Sequence, residues 1–409
     1  MSNNFKKLFT QISHRILFVL AYQVTTLISI PILANNLSQI EFGKIMICTL
    51  LVQLSWIVSE WGIPNFTIEL LRNNNSKRNK SLILSAVIKL NLMFIIFFLL
   101  IFFLLINFFF PDLSLVYYYA LIPSMIFGIL NPSWFFILIN KIKDLLLITF
   151  ISRLLFLLCV MFLVTSDRDA IFYLIIQGIS FGLISIYGFY KIYKENFFID
   201  FSFFIKKLNF KFKLFKKSYI YFMTHMVDNN FPILWALSAS YIGGPYIASI
   251  YSIPDQILRA TIAFSILISQ SIRLNSNKFD ERLSTIVLLF CIFGVFFAIV
   301  GYTYIESFLN LIFNDTYKES IYFSEQIVLI CLLHYLIRMI NYPLVGHLYD
   351  VKLVNRISII IFYINISLLI YWMINFTDIQ SLVLLMSLSL LAHLIVLSTL
   401  IFIKKLKKN

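Results

Sequence analysis

The 409-residue chain is 60% hydrophobic and only 13% charged, with a mean hydropathy of +0.90. A soluble globular domain carries about a quarter charged residues and cannot absorb this much apolar sequence, so the composition excludes an ordinary soluble enzyme and calls for a polytopic membrane protein. The net charge of +14 does not point to nucleic acid, because the basic residues gather in the gaps between apolar runs, and no nucleic-acid partner is expected.

A bilayer-spanning helix needs about 20 apolar residues. In chain order the first half offers Ile12–Ala34, Phe42–Glu60, Leu82–Asn107, Leu115–Ile139, Leu145–Thr165 and Ala170–Tyr190. The second half offers Ser218–Tyr241, Pro245–Ser271, Leu283–Tyr304, Ile321–Leu348, Leu353–Ile374 and Gln380–Ile403. Between the halves lies Phe197–Lys217, where Lys206, Lys207, Lys211, Lys213, Lys216 and Lys217 are interleaved with Phe and Leu. Such a strip suits a membrane surface, with rings in the acyl boundary and ammonium groups among anionic head groups. The expected organisation is therefore a six-helix bundle over 1–193, a basic connector over 194–217 and a second six-helix bundle over 218–409. The first apolar run is too long for the apolar region of a cleavable leader, and none is expected.

Most of the 33 basic residues fall in both tails, the connector and alternate gaps, such as Arg72 to Lys80 and Arg273 to Arg282. The intervening gaps hold only Arg168 and Lys318. By the positive-inside rule this asymmetry places both termini in the cytoplasm of a bacterial inner membrane. The four cysteines, Cys48, Cys159, Cys291 and Cys331, lie inside apolar runs without paired spacing and read as packing residues. A phosphate-binding Gly-x-x-x-x-Gly-Lys loop and a metal-spaced Cys/His cluster are both absent, so no cofactor, metal or catalytic residue is expected. The two halves share a weak pattern: Pro31 then Gly43 in the first, Pro232 then Gly243-Gly244-Pro245 in the second. Internal repeats of this kind occur in secondary transporters.

Four short stretches carry a family resemblance. Leu37-Ser38-Gln39-Ile40-Glu41-Phe42-Gly43, Glu60-Trp61-Gly62-Ile63-Pro64, Asn131-Pro132-Ser133-Trp134-Phe135-Phe136 and the helix from Ile247 to Ile272 resemble segments of Wzx-type polysaccharide flippases. That family belongs with the multidrug/oligosaccharidyl-lipid/polysaccharide exporters. The resemblance covers essentially the whole chain and implies an all-α membrane fold: about 12 transmembrane helices in two six-helix bundles around a central cavity, similar to MATE transporters. It departs at Leu138 and Ile139, where the family usually has a glycine after the Trp-Phe-Phe run.

A buried ionisable residue costs roughly 2.5–3.5 kcal/mol on insertion scales and normally faces a cavity or a partner. His225, Asp228 and Asn229 share a helical face in the seventh span; Asp255 and Arg259 are four apart in the eighth; His334, Arg338 and Asn341 form a stripe in the tenth. In the first half, Arg153 and Lys89 lie about two turns inside the membrane. Arginine suits a phosphate through bidentate, charge-assisted hydrogen bonds. Arg259 and Arg338 are the expected diphosphate contacts, with Arg153 and Lys89 assisting at entry and Asp255, His334 and Asn341 completing the substrate site. Asp228 and His225 are the expected ion-coupling pair. The plainer alternative for Arg259 is neutralisation by Asp255 within one helix. His393, alone on the last helix, reads as a packing or hydrogen-bonding residue, and Arg15 and Lys44 as residues that snorkel to the interface.

The expected activity is a flippase that moves an undecaprenyl-diphosphate-linked oligosaccharide across the cytoplasmic membrane by alternating access, with ion coupling. Its expected partners are that lipid-linked oligosaccharide, membrane lipids, a polysaccharide polymerase and a chain-length regulator. A small-molecule exporter of the multidrug type is one rival, for which an acidic cavity would be required. A polymerase or ligase acting on lipid-linked sugars is the other, and it would need a sizeable outer loop that this chain lacks.

Overall fold

The computed structural model describes residues 2–62, 76–139, 141–199, 218–219, 221–223, 226, 231–274, 283–345, 351–375 and 378–406. Residues 200–217 of the basic connector, and both His225 and Asp228, lie outside them. Among the described residues no strand occurs, and eleven helices are long and apolar enough to cross a membrane, so this is a multi-pass membrane protein. The chain forms two compact units, Met1–His225 and Met226–Asn409.

The first unit contains α1 (Ser2–Asn36), α2 (Gln39–Glu60), α3 (Lys77–Phe109), α4 (Leu115–Ile129), the short α5 (Ser133–Leu138), α6 (Lys143–Leu163) and α7 (Ala170–Lys194). Ser38 and Ser76 start α2 and α3 as N-caps, each accepting a hydrogen bond from the backbone N–H three residues on. The expected continuous span Leu115–Ile139 is interrupted at Asn131-Pro132. Proline has no N–H to continue the ladder but fits at a helix start, so α4 stops at Ile129 and α5 begins at Ser133. Phe135 and Phe136 of α5 are fully buried against Leu84, Leu145 and Ile192.

In this unit α4 packs on α2 and α7, and α6 packs on α1 and α7. Lipid-facing and interior surfaces are equally apolar, so close approach and interhelical hydrogen bonds must supply the specificity. Gly178 of α7 lets Pro123 of α4 approach to where a Cβ would stand 2.6 Å from the proline's own Cβ. Ser124 Oγ donates to the Leu174 carbonyl at 2.9 Å, Ser185 Oγ to Phe127 at 2.8 Å and Ser180 Oγ to Ser152 at 3.2 Å. Such bonds contribute about 0.6 kcal/mol each in membranes. At one end, the α1–α2 turn is tied to the α6–α7 turn: Asn36 Nδ2 donates to the Val164 carbonyl at 2.8 Å and the Ser38 N–H to Asp167 Oδ1 at 2.7 Å. Near the end of α7, Lys141 pairs with Glu195 and holds its carboxyl below the usual range.

The second unit contains α8 (Phe231–Leu274), α9 (Leu283–Ile312), α10 (Lys318–Ile340), α11 (Val351–Asn375) and α12 (Ile379–Leu406). Within α8, Gly244 takes φ 64, ψ −162, a conformation open essentially to glycine alone. It divides the helix in two at the Gly243-Gly244-Pro245 sequence, as that motif leads one to expect. α10 is the central helix: 71% of its most apolar stretch is buried, against 11% for α9, and it packs on α8, α9 and α12. α9 instead turns Leu288, Leu289, Phe296 and Phe297 outward, as a lipid-facing helix does. A five-residue π-turn, Asn341–Val345, follows α10 where Pro343 breaks the regular ladder.

Candidate functional site

Because α10 lies at the centre of its unit, the polar residues it carries cannot escape to water. His334 and Arg338 are one helical turn apart and are buried, at 5% and 6% exposure. α12 brings His393 to the same place, at 2% exposure, and α11 brings Asn365. With Phe231, Pro232 and Trp235 of α8 they enclose a cavity of about 20 Å³, the space of about one water molecule. Asn365 is fixed by its own bonds: Oδ1 accepts from Ser389 Oγ at 2.6 Å and Nδ2 donates to the Ile361 carbonyl at 2.9 Å. Ser269 Oγ donates to the backbone carbonyl of Arg338 at 3.0 Å and ties α8 to α10 at this level. His393 Nε2 is buried without a hydrogen-bond partner.

One guanidinium and two imidazoles around a space of about one water molecule make a basic site. The guanidinium offers forked donors to an oxyanion, and each imidazole offers an N–H donor. The sequence signals His334 and Arg338 through their four-residue spacing. It gives no such signal for His393, whose neighbours come from another helix; the expectation of a packing or hydrogen-bonding residue agrees with its burial but does not place it beside Arg338. Asn341 begins the π-turn, is 2% exposed and does not line this cavity.

Asp255 and Arg259 of α8 are hydrogen-bonded to each other as an ion pair. Their side chains are 3% and 12% exposed, and Arg259 Nε and Nη1 remain without acceptors. In the first unit, Arg153 of α6 is 3% exposed. Its guanidinium carbon stands 4.0 Å from the Tyr22 ring centroid and 4.2 Å from that of Phe181, while Nε and Nη2 lack hydrogen-bond partners. Desolvated cation–π contacts of this kind are worth about 2 kcal/mol. Lys89 of α3 is 1% exposed. Thus His334 and Arg338 share a cavity, Asp255 and Arg259 share a bond, and Arg153 and Lys89 are placed in the other unit. The four cysteines are free. Among the described residues no cluster of three His, Cys, Asp or Glu could hold a metal ion.

A family model described as "Polysaccharide biosynthesis protein" matches residues 12–272. No curated protein matches the chain. Among solved structures, the chain is similar to a multidrug resistance MATE family transporter of the MOP superfamily in an inward-facing conformation. The TM-score is 0.73 at 10% identity, over 96% of this chain and 99% of that one. It is also similar to a mutant form of the Vibrio cholerae MATE transporter VcmN, with TM-score 0.62 at 12% identity over 99% and 97%. A MATE protein in its bent conformation gives TM-score 0.61 at 9% identity over 98% and 96%. The fold is therefore that of MATE transporters.

Proposed function

We propose that this chain, which belongs to the polysaccharide biosynthesis protein family, translocates a polyprenyl-diphosphate-linked oligosaccharide across the bacterial cytoplasmic membrane. A family of polysaccharide biosynthesis and a fold of transporters meet in one activity: carrying the lipid-linked sugar intermediate from the leaflet where it is made. The observation that carries the reading is the cluster of Arg338, His334 and His393 on the central helix of the second unit and its neighbour. Basic residues buried in a bilayer are costly; they pair with neighbours and mark substrate, ion or proton paths. A diphosphate linkage is an anionic cargo suited to such a path. The cavity as it stands holds about one water molecule, so in this reading it opens during transport for Arg338 to take the linkage's oxygens as a bidentate donor; the expected coupling pair, His225 and Asp228, lies outside the described residues. Both termini face the cytoplasm in this reading, and the polymerase and chain-length regulator of the same polysaccharide act downstream.

The test is a deletion strain. Loss of surface polysaccharide, with lipid-linked units accumulating on the cytoplasmic leaflet, is the expected result. Normal surface polymer with normal lipid-linked pools would refute the reading. The one competing function with an observation behind it is small-molecule export, because the first structural neighbour is described as a multidrug resistance transporter. Increased drug sensitivity with unaltered polysaccharide in the same strain would select it.

A further inference from the structure

The first unit holds a larger cavity of its own, of about 180 Å³. Drug-sized ligands occupy roughly 300–1,000 Å³, so this space suits one small ring at a time. Five aromatic side chains line it: Phe18 and Tyr22 of α1, Trp56 of α2, Trp134 of α5 and Phe181 of α7. Tyr22, Trp56 and Phe181 are fixed from behind. Trp56 donates its indole N–H to the Ser124 carbonyl at 3.3 Å and stands edge-on to Phe181 with centroids 4.4 Å apart. Asn131 Nδ2 donates to the Tyr22 hydroxyl at 3.3 Å, and Arg153 braces Tyr22 and Phe181 together. With its N–H engaged, Trp56 offers the cavity a ring and not a donor.

Asn91 of α3 supplies the second observation. It is 5% exposed and lines the cavity; its Nδ2 donates to the Ile129 carbonyl at 2.7 Å, while Oδ1 has no hydrogen-bond partner. A buried acceptor left unmatched is costly and points to a donor that arrives with a ligand. Glu60, at the end of α2, adds a carboxylate to the same lining, and none of the described residues that line it is Lys or Arg, Arg153 lying behind Tyr22 and Phe181. That lining offers a phosphate no guanidinium or ammonium donor, and the amide and carboxylate are wasted on a hydrocarbon tail.

Fixed rings with neutral and acidic acceptors, and no cationic side chain among the described lining residues, match a sugar. The C–H face of a pyranose is weakly positive and settles on the negative face of an aromatic ring, while its hydroxyls donate to amide and carboxylate oxygens. We infer that this cavity is a monosaccharide-binding subsite, with Asn91 Oδ1 accepting from a sugar hydroxyl and Trp56 and Trp134 flanking the ring. The inference rests on the lipid-linked oligosaccharide reading and deepens it: the glycan is recognised by the first unit through chemistry separate from that which takes the phosphate. A site built to bond a hydroxyl rejects the sugar that lacks it, so Asn91 sets specificity as well as affinity.

The test uses the full-length protein in lipid nanodiscs and two probes: the host oligosaccharide freed from its lipid by mild acid, and inorganic pyrophosphate. Calorimetry should show oligosaccharide binding weakened at least tenfold by Asn91→Leu and by Trp134→Leu, largely recovered in Trp134→Phe, with pyrophosphate binding unchanged. Arg338→Ala should give the converse pattern. Undiminished oligosaccharide binding in both folded variants, or pyrophosphate binding by a wild-type protein that takes no oligosaccharide, overturns the inference and leaves the cargo reading standing. Binding of neither probe, with normal polysaccharide in the deletion strain, sinks the cargo reading itself. Should the variants fail to fold, protection of wild-type tryptophans from N-bromosuccinimide by the oligosaccharide replaces them, and absence of protection counts equally against the subsite.

Discussion

Gly128→Ala tests the packing on which the first unit's cavity depends. A methyl group at Gly128 would stand 1.7 Å from Trp56 Nε1 and 2.0 Å from Cε2, well inside van der Waals contact. The indole must move, because Gly128 is inside α4 and its backbone is held by the helix. Moving it breaks the hydrogen bond to Ser124, worth about 0.5–1.5 kcal/mol. It also breaks the edge-on contact with Phe181, worth about 0.5–1.5 kcal/mol. Residual overpacking adds about 1–3 kcal/mol, so the expected destabilisation is about 2–6 kcal/mol in total. Trp56 lines the cavity, so its displacement alters that wall and oligosaccharide binding should fall in the same variant. The assay is thermal unfolding in nanodiscs, followed by tryptophan emission. Adding Trp56→Phe, a smaller ring, should recover part of the loss, which a double-mutant cycle reads directly. A Gly128→Ala protein that melts with the wild type and keeps its emission spectrum would show that Trp56 does not rest on Gly128.

Two further outcomes follow from named contacts. Asp255→Ala should destabilise by roughly 3–5 kcal/mol, because it leaves the Arg259 guanidinium buried without its counter-charge, whereas Asp255→Leu combined with Arg259→Met should cost much less than the single change; a double variant less stable than the single one would contradict the pairing. At the start of α12, Asp378 Oδ2 accepts from the Ser381 N–H at 2.7 Å, which holds its carboxyl below the usual range. Its contribution to stability is therefore fully present above about pH 4 and fades as the pH falls through the lowered value. Asp378→Ala should remove that part of the acid sensitivity, and unfolding curves with the same pH dependence in both proteins would count against it.

Much of the architecture is legible in local rules. Apolar runs of about 20 residues mark the spans, and Gly243-Gly244-Pro245 marks the break in α8. The interruption at Pro132 is written in the chain too, but a hydropathy window averages over it. The four-residue spacing of His334 and Arg338, and of Asp255 and Arg259, is a property of one helix and survives intact into the structure. What the chain does not reveal is which helix faces which. His393 joins Arg338 only because α12 packs on α10, and Asn91 meets Trp134 only because α3, α4 and α5 converge. With 44 Phe and 22 Tyr in the sequence, a set of five lining rings has no contrast against its background until the fold selects it.

Translocation measured in proteoliposomes is the most direct trial of the account. Purified protein would be reconstituted with its host's diphosphate-linked oligosaccharide, and leaflet exchange followed by access of an added glycosidase. The wild type should move the lipid-linked sugar, Arg338→Ala should slow it at least tenfold at equal incorporation, and Arg338→Lys, a point charge without the planar fork, should fall between them. Equal rates for wild type and Arg338→Ala, or none for the wild type under an imposed proton gradient, would contradict it.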